Sequence, residues 1–128
     1  MPVYDDARFD PPAPLGVVTL YNPVSGLTWA DVPMLLDTGA DVTLIPQAAL
    51  DRLKLSLIPD KHFELIGFEG TTSLALAVQL ELGFLDRTFR GQFLLIDQEW
   101  GILGRNVLNA LSLLFDGSQL KWREVNNR

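Results

Sequence analysis

The fold of this chain is decided by one stretch, Met34-Leu35-Leu36-Asp37-Thr38-Gly39-Ala40-Asp41-Val42-Thr43-Leu44-Ile45-Pro46. Its two apolar ends, residues 34–36 and 42–45, predict two buried strands. Between them lie residue types that favour a tight turn, and Gly39 lets the backbone bend where a Cβ would clash. Asp37 is therefore expected between hydrophobic strands, where a carboxylate needs a hydrogen bond or a shared proton to be stable.

An isolated Asp-Thr-Gly is most simply an ordinary β-turn, but two further segments favour another interpretation. Leu-Leu-Asp-Thr-Gly-Ala-Asp before an apolar strand resembles the active-site loop of the retropepsins, the retroviral-type aspartic proteases. Ile66-Gly67-Phe68-Glu69-Gly70 resembles the flap of that family. Ile102-Leu103-Gly104-Arg105-Asn106-Val107-Leu108 resembles the segment that opens its C-terminal helix. The resemblance covers about residues 15–125 and is closer to cellular and bacterial retropepsin-like domains than to viral enzymes.

Composition narrows the function classes. The 128 residues suffice for one domain, and their apolar share of 48% is ordinary for a globular protein. A net charge of −6 without a Lys/Arg cluster argues against a nucleic-acid partner. The chain has no cysteine, which excludes disulfides, thiolate catalysis and Cys-ligated zinc. Because His62 is the one histidine and is interpreted as a solvated turn residue, we expect no metal and no cofactor.

The ends and compartment of the chain are expectations of the same kind. Residues 1–14 contain Pro11, Pro12 and Pro14 and predict a flexible or extended leader, followed by one domain over residues 15–128. No run approaches the roughly 18 apolar residues of a membrane span, and the N-terminus lacks the pattern of a signal segment. Together with the missing cysteines, this favours the cytoplasm.

Periodicity and turn residues predict a mostly β fold. The alternation over Leu74–Leu82, for example, has the period of two that marks a strand. With the resemblance, the expected architecture is a closed, barrel-like sheet with a glycine-tipped flap hairpin, one short helix and one C-terminal helix. The predicted strands are 15–21, 27–32 (ended or bent by Pro33), 34–36, 42–45, 63–66, 74–82, 88–96 and 119–125. The predicted helices are 47–53 and 105–113, and the predicted turns include 22–26 and 115–118.

The resemblance implies peptide hydrolysis by a pair of carboxylates around one water molecule. One carboxylate takes a proton from the water while the other, protonated, donates to the scissile carbonyl. Two carboxyls held around one water molecule lie so close together that they share one proton, an effect for which aspartic proteases are the standard example. The chain carries a single Asp-Thr-Gly and is too short for two lobes. Catalysis on a polypeptide substrate therefore implies a homodimer with one Asp37 from each copy.

The other site residues are assigned through the same resemblance. Thr38 matches a hydroxyl that bonds across the dimer axis, and Gly39 matches the N–H that bonds the catalytic carboxylate, with Ala40 completing the loop. Arg105, followed by Asn106, matches an arginine that pairs with Asp41 and braces the dimer. Two alternatives stay open: Asp41 could act only as a local cap, and Arg105 could be only a surface charge at the start of the helix. Thr43 is interpreted as an ordinary strand residue.

The flap is the second functional element that the resemblance implies. Residues Ile66, Gly67, Phe68, Glu69 and Gly70 would close over an extended peptide, with Phe68 touching the substrate or the other flap. Glu69 departs from the small residues of retroviral flaps and puts a charge near the cleft. A strand at 119–125 that pairs within its own subunit would be a further departure.

Two other functions remain open on the sequence alone. One is a retropepsin fold used for dimerisation or peptide binding with little or no turnover. The other is a monomeric β domain in which Asp37 is structural. An aspartic endopeptidase is favoured over both, because a binding module has no need of a buried carboxylate pair.

Overall fold

The computed structural model describes residues 2–66 and 72–126. Ten strands and two helices of four residues each lie in these ranges. The strands are β1 (Tyr4–Asp5), β2 (Ala13–Tyr21), β3 (Thr28–Leu36), β4 (Leu44–Pro46), β5 (Leu57–Ile66), β6 (Thr72–Phe84), β7 (Arg87–Ile96), β8 (Gly101–Leu103), β9 (Leu113–Asp116) and β10 (Lys121–Glu124). The helices are α1 (Ala49–Arg52) and α2 (Arg105–Leu108). Neither described helix has the length and apolar content that crossing a bilayer requires.

The main sheet closes on itself. Its eight strands are ordered β1-β2-β3-β8-β4-β7-β6-β5, and a further pairing of β2 with β6 joins six of them into a ring. The pairs β3–β8 and β4–β7 are parallel, whereas β2–β3, β2–β6 and β6–β7 are antiparallel. The predicted mostly β fold is confirmed. Because each of the six strands in the ring is paired with a strand on both sides, few free strand edges remain there.

Apolar side chains fill the ring in two clusters. The larger one contains fully buried residues from most strands of the ring, among them Leu20, Met34, Ile45 and Leu80. The smaller one, Leu44, Ala75, Ala77 and Leu94, is extended by half-buried neighbours that include Val42, Leu65 and Ile102. Because Val42 and Leu44 follow the Asp37 turn in the chain, the smaller cluster packs beside that turn.

The alternation of β6 changes face near its middle. Val78, Leu80 and Leu82 are buried in the larger cluster, as a strand with period two predicts. Before Ala77 the pattern reverses, since Ala75 and Ala77 are buried whereas Leu74 and Leu76 are 67% and 46% exposed. The small alanine side chains face the narrow cluster beneath the β5–β6 hairpin, which leaves the leucines outside.

Pro33 does not end the second arm of the first hairpin. Strand β3 continues through it to Leu36, and Pro33 lies opposite Val17. The irregularity comes earlier, where the register shifts and Asp31 has a φ of 58°. This bulge bends the strand before the proline, so that Pro33 can remain in the ladder.

The C-terminal helix is shorter than the predicted 105–113. α2 ends at Leu108, and the next two turns are closed by bonds from the N–H of Ala110 and Leu111 to carbonyls three residues earlier. The chain then enters β9, which includes Phe115 and Asp116, two residues predicted to form a turn. Pairing with β10 outweighs local helix propensity here. The last strand, β10, pairs with β9 of the same chain, which is the departure from retroviral subunits considered above.

The lead-in of residues 2–14 is attached to the domain. β1 pairs with Ala13 and Pro14, and the Tyr4 N–H donates to the Leu120 carbonyl. The ring of Phe9 meets Trp100 edge-on at 5.3 Å between centroids. The backbone N–H of Arg8 donates to Asp5 at 2.7 Å and is the main reason that the pKa of this carboxyl lies below its usual value. These contacts join the lead-in, which the sequence predicts to be flexible or extended, to the rest of the domain.

Candidate active site

Asp37 directly follows β3, at one end of the ring. Its backbone N–H donates to the carbonyl of Leu103 at 3.1 Å, which fixes the start of the turn to β8. The side chain is half-buried, and its Oδ1 accepts the N–H of Gly39 at 2.9 Å. The N–H of Ala40 closes the turn on the Asp37 carbonyl at 3.2 Å. The carboxylate is therefore held by the backbone, while Thr38 and Gly39 are exposed.

Arg105 forms hydrogen bonds with this turn, but it does not form the ion pair with Asp41 that the resemblance implies. Its Nη1 donates to the carbonyl of Thr38 and its backbone N–H to the carbonyl of Ala40, both at 2.8 Å. Within the described ranges, the predicted ion pair between Arg105 and Asp41 does not form. Asp41 is exposed, and an exposed carboxylate gains little from a pair compared with water. The arginine instead bonds a carbonyl that the fold presents to it.

A second link between the same segments uses Thr43, which the sequence interpretation treated as an ordinary strand residue. Its side chain is only 1% exposed. Thr43 Oγ1 donates to Asn106 Oδ1 at 2.7 Å and accepts the N–H of Gly104 at 3.0 Å. The hydroxyl thus satisfies a buried N–H at the point where β8 passes into α2. A single threonine within an otherwise apolar run is the signal from which such a role could have been inferred.

A glycine is required at position 104 because the start of α2 lies close to the backbone that follows the Asp37 turn. A Cβ at this position would overlap the carbonyl of Val42 and lie 3.0 Å from the carbonyl of Ala40. The chain after the Asp37 turn therefore lies directly against the start of α2. Backbone contact of this kind positions the turn more rigidly than side chains alone.

A cavity of about 400 Å³ opens beside the turn. Its walls are apolar residues of the smaller cluster and its neighbours, and two carboxylates, Asp41 and Glu64, lie among the lining residues. Such a volume is in the range that binds a small ligand or a substrate side chain. The lining residues are Gly39, Ala40, Asp41, Val42, Leu44, Glu64, Leu65, Ile96 and Ile102.

The predicted flap falls largely outside the described residues. Gly67, Phe68, Glu69 and Gly70 are not among them, whereas Ile66 is the last residue of β5. Strands β5 and β6 are antiparallel, with Ile66 opposite Thr72, and Glu64 and Leu65 of β5 line the cavity. Across the described ranges, no three metal-ligating side chains come together.

Comparison with known proteins agrees with this fold. A solved EIAV protease, in complex with the inhibitor HBY-793, superposes with a TM-score of 0.56 at 23% sequence identity, over 77% of this chain and 86% of that chain. No curated protein sequence matches. The sequence profile described as retroviral aspartyl protease matches residues 21–115, well over half of the chain. This chain therefore belongs to the retroviral aspartyl protease family.

Proposed function

We propose that the protein is an aspartic endopeptidase that acts as a homodimer, with one Asp37 from each copy in the active centre. The observation that carries this proposal is the half-buried Asp37 carboxylate, oriented by the Gly39 N–H in a turn that β8 and Arg105 hold in place. Family and fold agree with it. A carboxylate held in a fixed orientation can act as a general acid or base.

The chemistry needs both carboxyls and one water molecule. The ionised Asp37 takes a proton from the water while the oxygen of that water attacks the scissile carbonyl carbon. The protonated Asp37 of the other copy gives its proton to the carbonyl oxygen, which yields a tetrahedral diol. The diol then collapses as the C–N bond breaks and a proton passes to the leaving nitrogen. The step therefore needs one protonated and one ionised carboxyl, so the two Asp37 side chains act as a unit that shares one proton.

A second copy is needed because the chain supplies one such aspartate. The C-terminal hairpin supports association, since β9 pairs within the described chain only with β10 and so has a free edge. Leu114 and Phe115 on this strand are 39% and 38% exposed. An apolar strand edge is a template for pairing with another chain, and a two-fold axis would pair it with its own copy. β9 also follows α2, which contacts the Asp37 turn.

The cavity beside the turn supports a polypeptide as the substrate. Side chains of an extended peptide leave it on alternating sides, so a cavity next to the reacting carbonyl can bind one of them. The β5–β6 hairpin borders this cavity through Glu64 and Leu65. In our proposal the predicted flap, residues 66–70, covers the bound peptide.

The test is cleavage of a peptide library by wild type and by Asp37→Asn, with sedimentation measured at several protein concentrations. We expect cleavage by wild type alone, similar circular dichroism for the two proteins, and activity that rises with the dimer fraction. Cleavage by the Asp37→Asn protein would overturn the catalytic assignment. A wild type that associates but cleaves nothing would indicate a binding module instead.

A further inference from the structure

We propose that the cavity beside the Asp37 turn selects a basic substrate side chain, lysine or arginine. This inference rests on the proposed function and specifies its substrate class. It depends on the composition of the cavity wall together with the charge at its rim, and neither feature would be sufficient by itself.

The wall of the cavity suits the aliphatic part of such a side chain. Val42, Leu44, Leu65, Ile96 and Ile102 line it, and its volume is about 400 Å³. Lysine and arginine carry long methylene stems that pack on apolar surface while the charged end stays near water. A short polar side chain would leave this surface unfilled, and an acidic one would bring a like charge to the rim.

The rim supplies the complementary charge. Asp41 and Glu64 contribute to the lining, and both side chains are exposed. Asp41 is not engaged by Arg105, because that guanidinium donates to the Thr38 carbonyl. Among the described residues that line the cavity, none is basic. A cation at the end of an aliphatic stem would therefore meet two carboxylates of the protein.

In a symmetric dimer, the preference for a basic side chain applies at two positions of the substrate. In a homodimer the cavity occurs twice, once on each side of the catalytic pair. A basic residue should therefore be favoured at one position before and one position after the scissile bond. The preference should weaken as salt is added, because charges at an exposed rim are screened.

The experiment uses short acetylated peptides that share an apolar pair at the centre and carry lysine, norleucine or glutamate at each flanking position in turn. Wild type is assayed for cleavage, and the Asp37→Asn protein is assayed for binding without turnover. At the favoured positions we expect lysine to exceed norleucine roughly threefold or more in kcat/KM and in affinity, with glutamate weakest. Equal values for lysine and norleucine at every position would overturn the inference.

Matched variants locate the effect. Asp41→Asn and Glu64→Gln should each reduce the lysine preference, measured on the same variant as the ratio of kcat/KM between lysine and norleucine peptides, and the double variant should abolish it. Asp86→Asn removes one charge at an exposed position with φ of 62°, which asparagine tolerates, and should leave the preference unchanged. A preference that survives in the double variant would overturn the inference. Charge-dependent binding without any cleavage by wild type would support the cavity assignment and contradict the proposed function.

Discussion

The Nη1 of Arg105 lies 2.8 Å from the carbonyl oxygen of Thr38, 67 positions earlier in the chain. This bond joins the first residue of α2 to the turn that carries Asp37. Together with the bond from the Arg105 N–H to Ala40, it makes the helix start a support for the turn. Arg105 therefore positions the carboxylate through the backbone, without touching it.

Replacing Arg105 should impair activity more than stability. The bond is exposed, so we expect Arg105→Ala to lower the free energy of unfolding by only about 1 kcal/mol. A small displacement of a catalytic group is costly, and peptide cleavage should fall roughly tenfold or more. Arg105→Lys should recover part of the activity, and Arg123→Ala, which removes an exposed arginine from β10, serves as the control. Urea unfolding and kcat/KM measure the two effects, and unchanged cleavage by Arg105→Ala would contradict the support role.

The hydroxyl of Thr43 should matter for stability. Thr43→Val keeps the shape of the side chain but leaves the buried N–H of Gly104 without its acceptor. We expect a loss of about 1–3 kcal/mol in the free energy of unfolding. Thr43→Ser retains the hydroxyl and should lose about 1 kcal/mol for the missing methyl group. A valine variant as stable as wild type in urea unfolding would contradict the role of the hydroxyl, because valine removes only that group.

Gly104 and Gly117 provide a matched pair. Alanine at Gly104 would force the Val42 carbonyl away, so we expect a loss of about 3 kcal/mol or more, or no soluble protein. Alanine at Gly117 meets no atom within 4 Å and should change stability by less than about 0.5 kcal/mol. Thermal unfolding of the two variants separates a steric requirement from a general sensitivity to alanine. Equal stability would mean that the two segments are not in close contact.

Removal of residues 2–12 tests whether the lead-in belongs to the domain. The deletion takes away β1, the contact of Phe9 with Trp100, and Tyr4, which packs on the larger cluster. Burial of one aromatic side chain alone contributes about 1–3 kcal/mol, so the urea midpoint should decrease clearly. A midpoint equal to that of the full chain would show that the lead-in does not contribute to the stability of the domain.

Much of the fold was predictable because local patterns and tertiary structure agree there. The Asp37 turn lies between two buried apolar segments, as the residue types indicate, and the alternation over Val78–Leu82 marks a strand with one buried face. Val42, expected in the strand after the turn, instead precedes β4, which begins at Leu44.

The remaining differences come from contacts distant in sequence. Nothing local indicates that Ala75 is buried and Leu74 exposed, because the cluster they border is formed by other strands. The early end of α2 depends on β10, and the place of Pro33 within β3 depends on the bulge at Asp31. The partner of Arg105 was assigned by resemblance, and only the geometry of the turn shows that the Thr38 carbonyl is within reach.

The measurement that tests the two-copy active centre most directly is a subunit-mixing titration. Wild type and Asp37→Asn protein are mixed at constant total concentration, allowed to exchange subunits, and assayed for peptide cleavage. If each active centre needs an intact Asp37 from both copies, activity will fall with the square of the wild-type fraction. A decline in simple proportion to that fraction would show that one chain carries the whole active centre and would contradict the proposal.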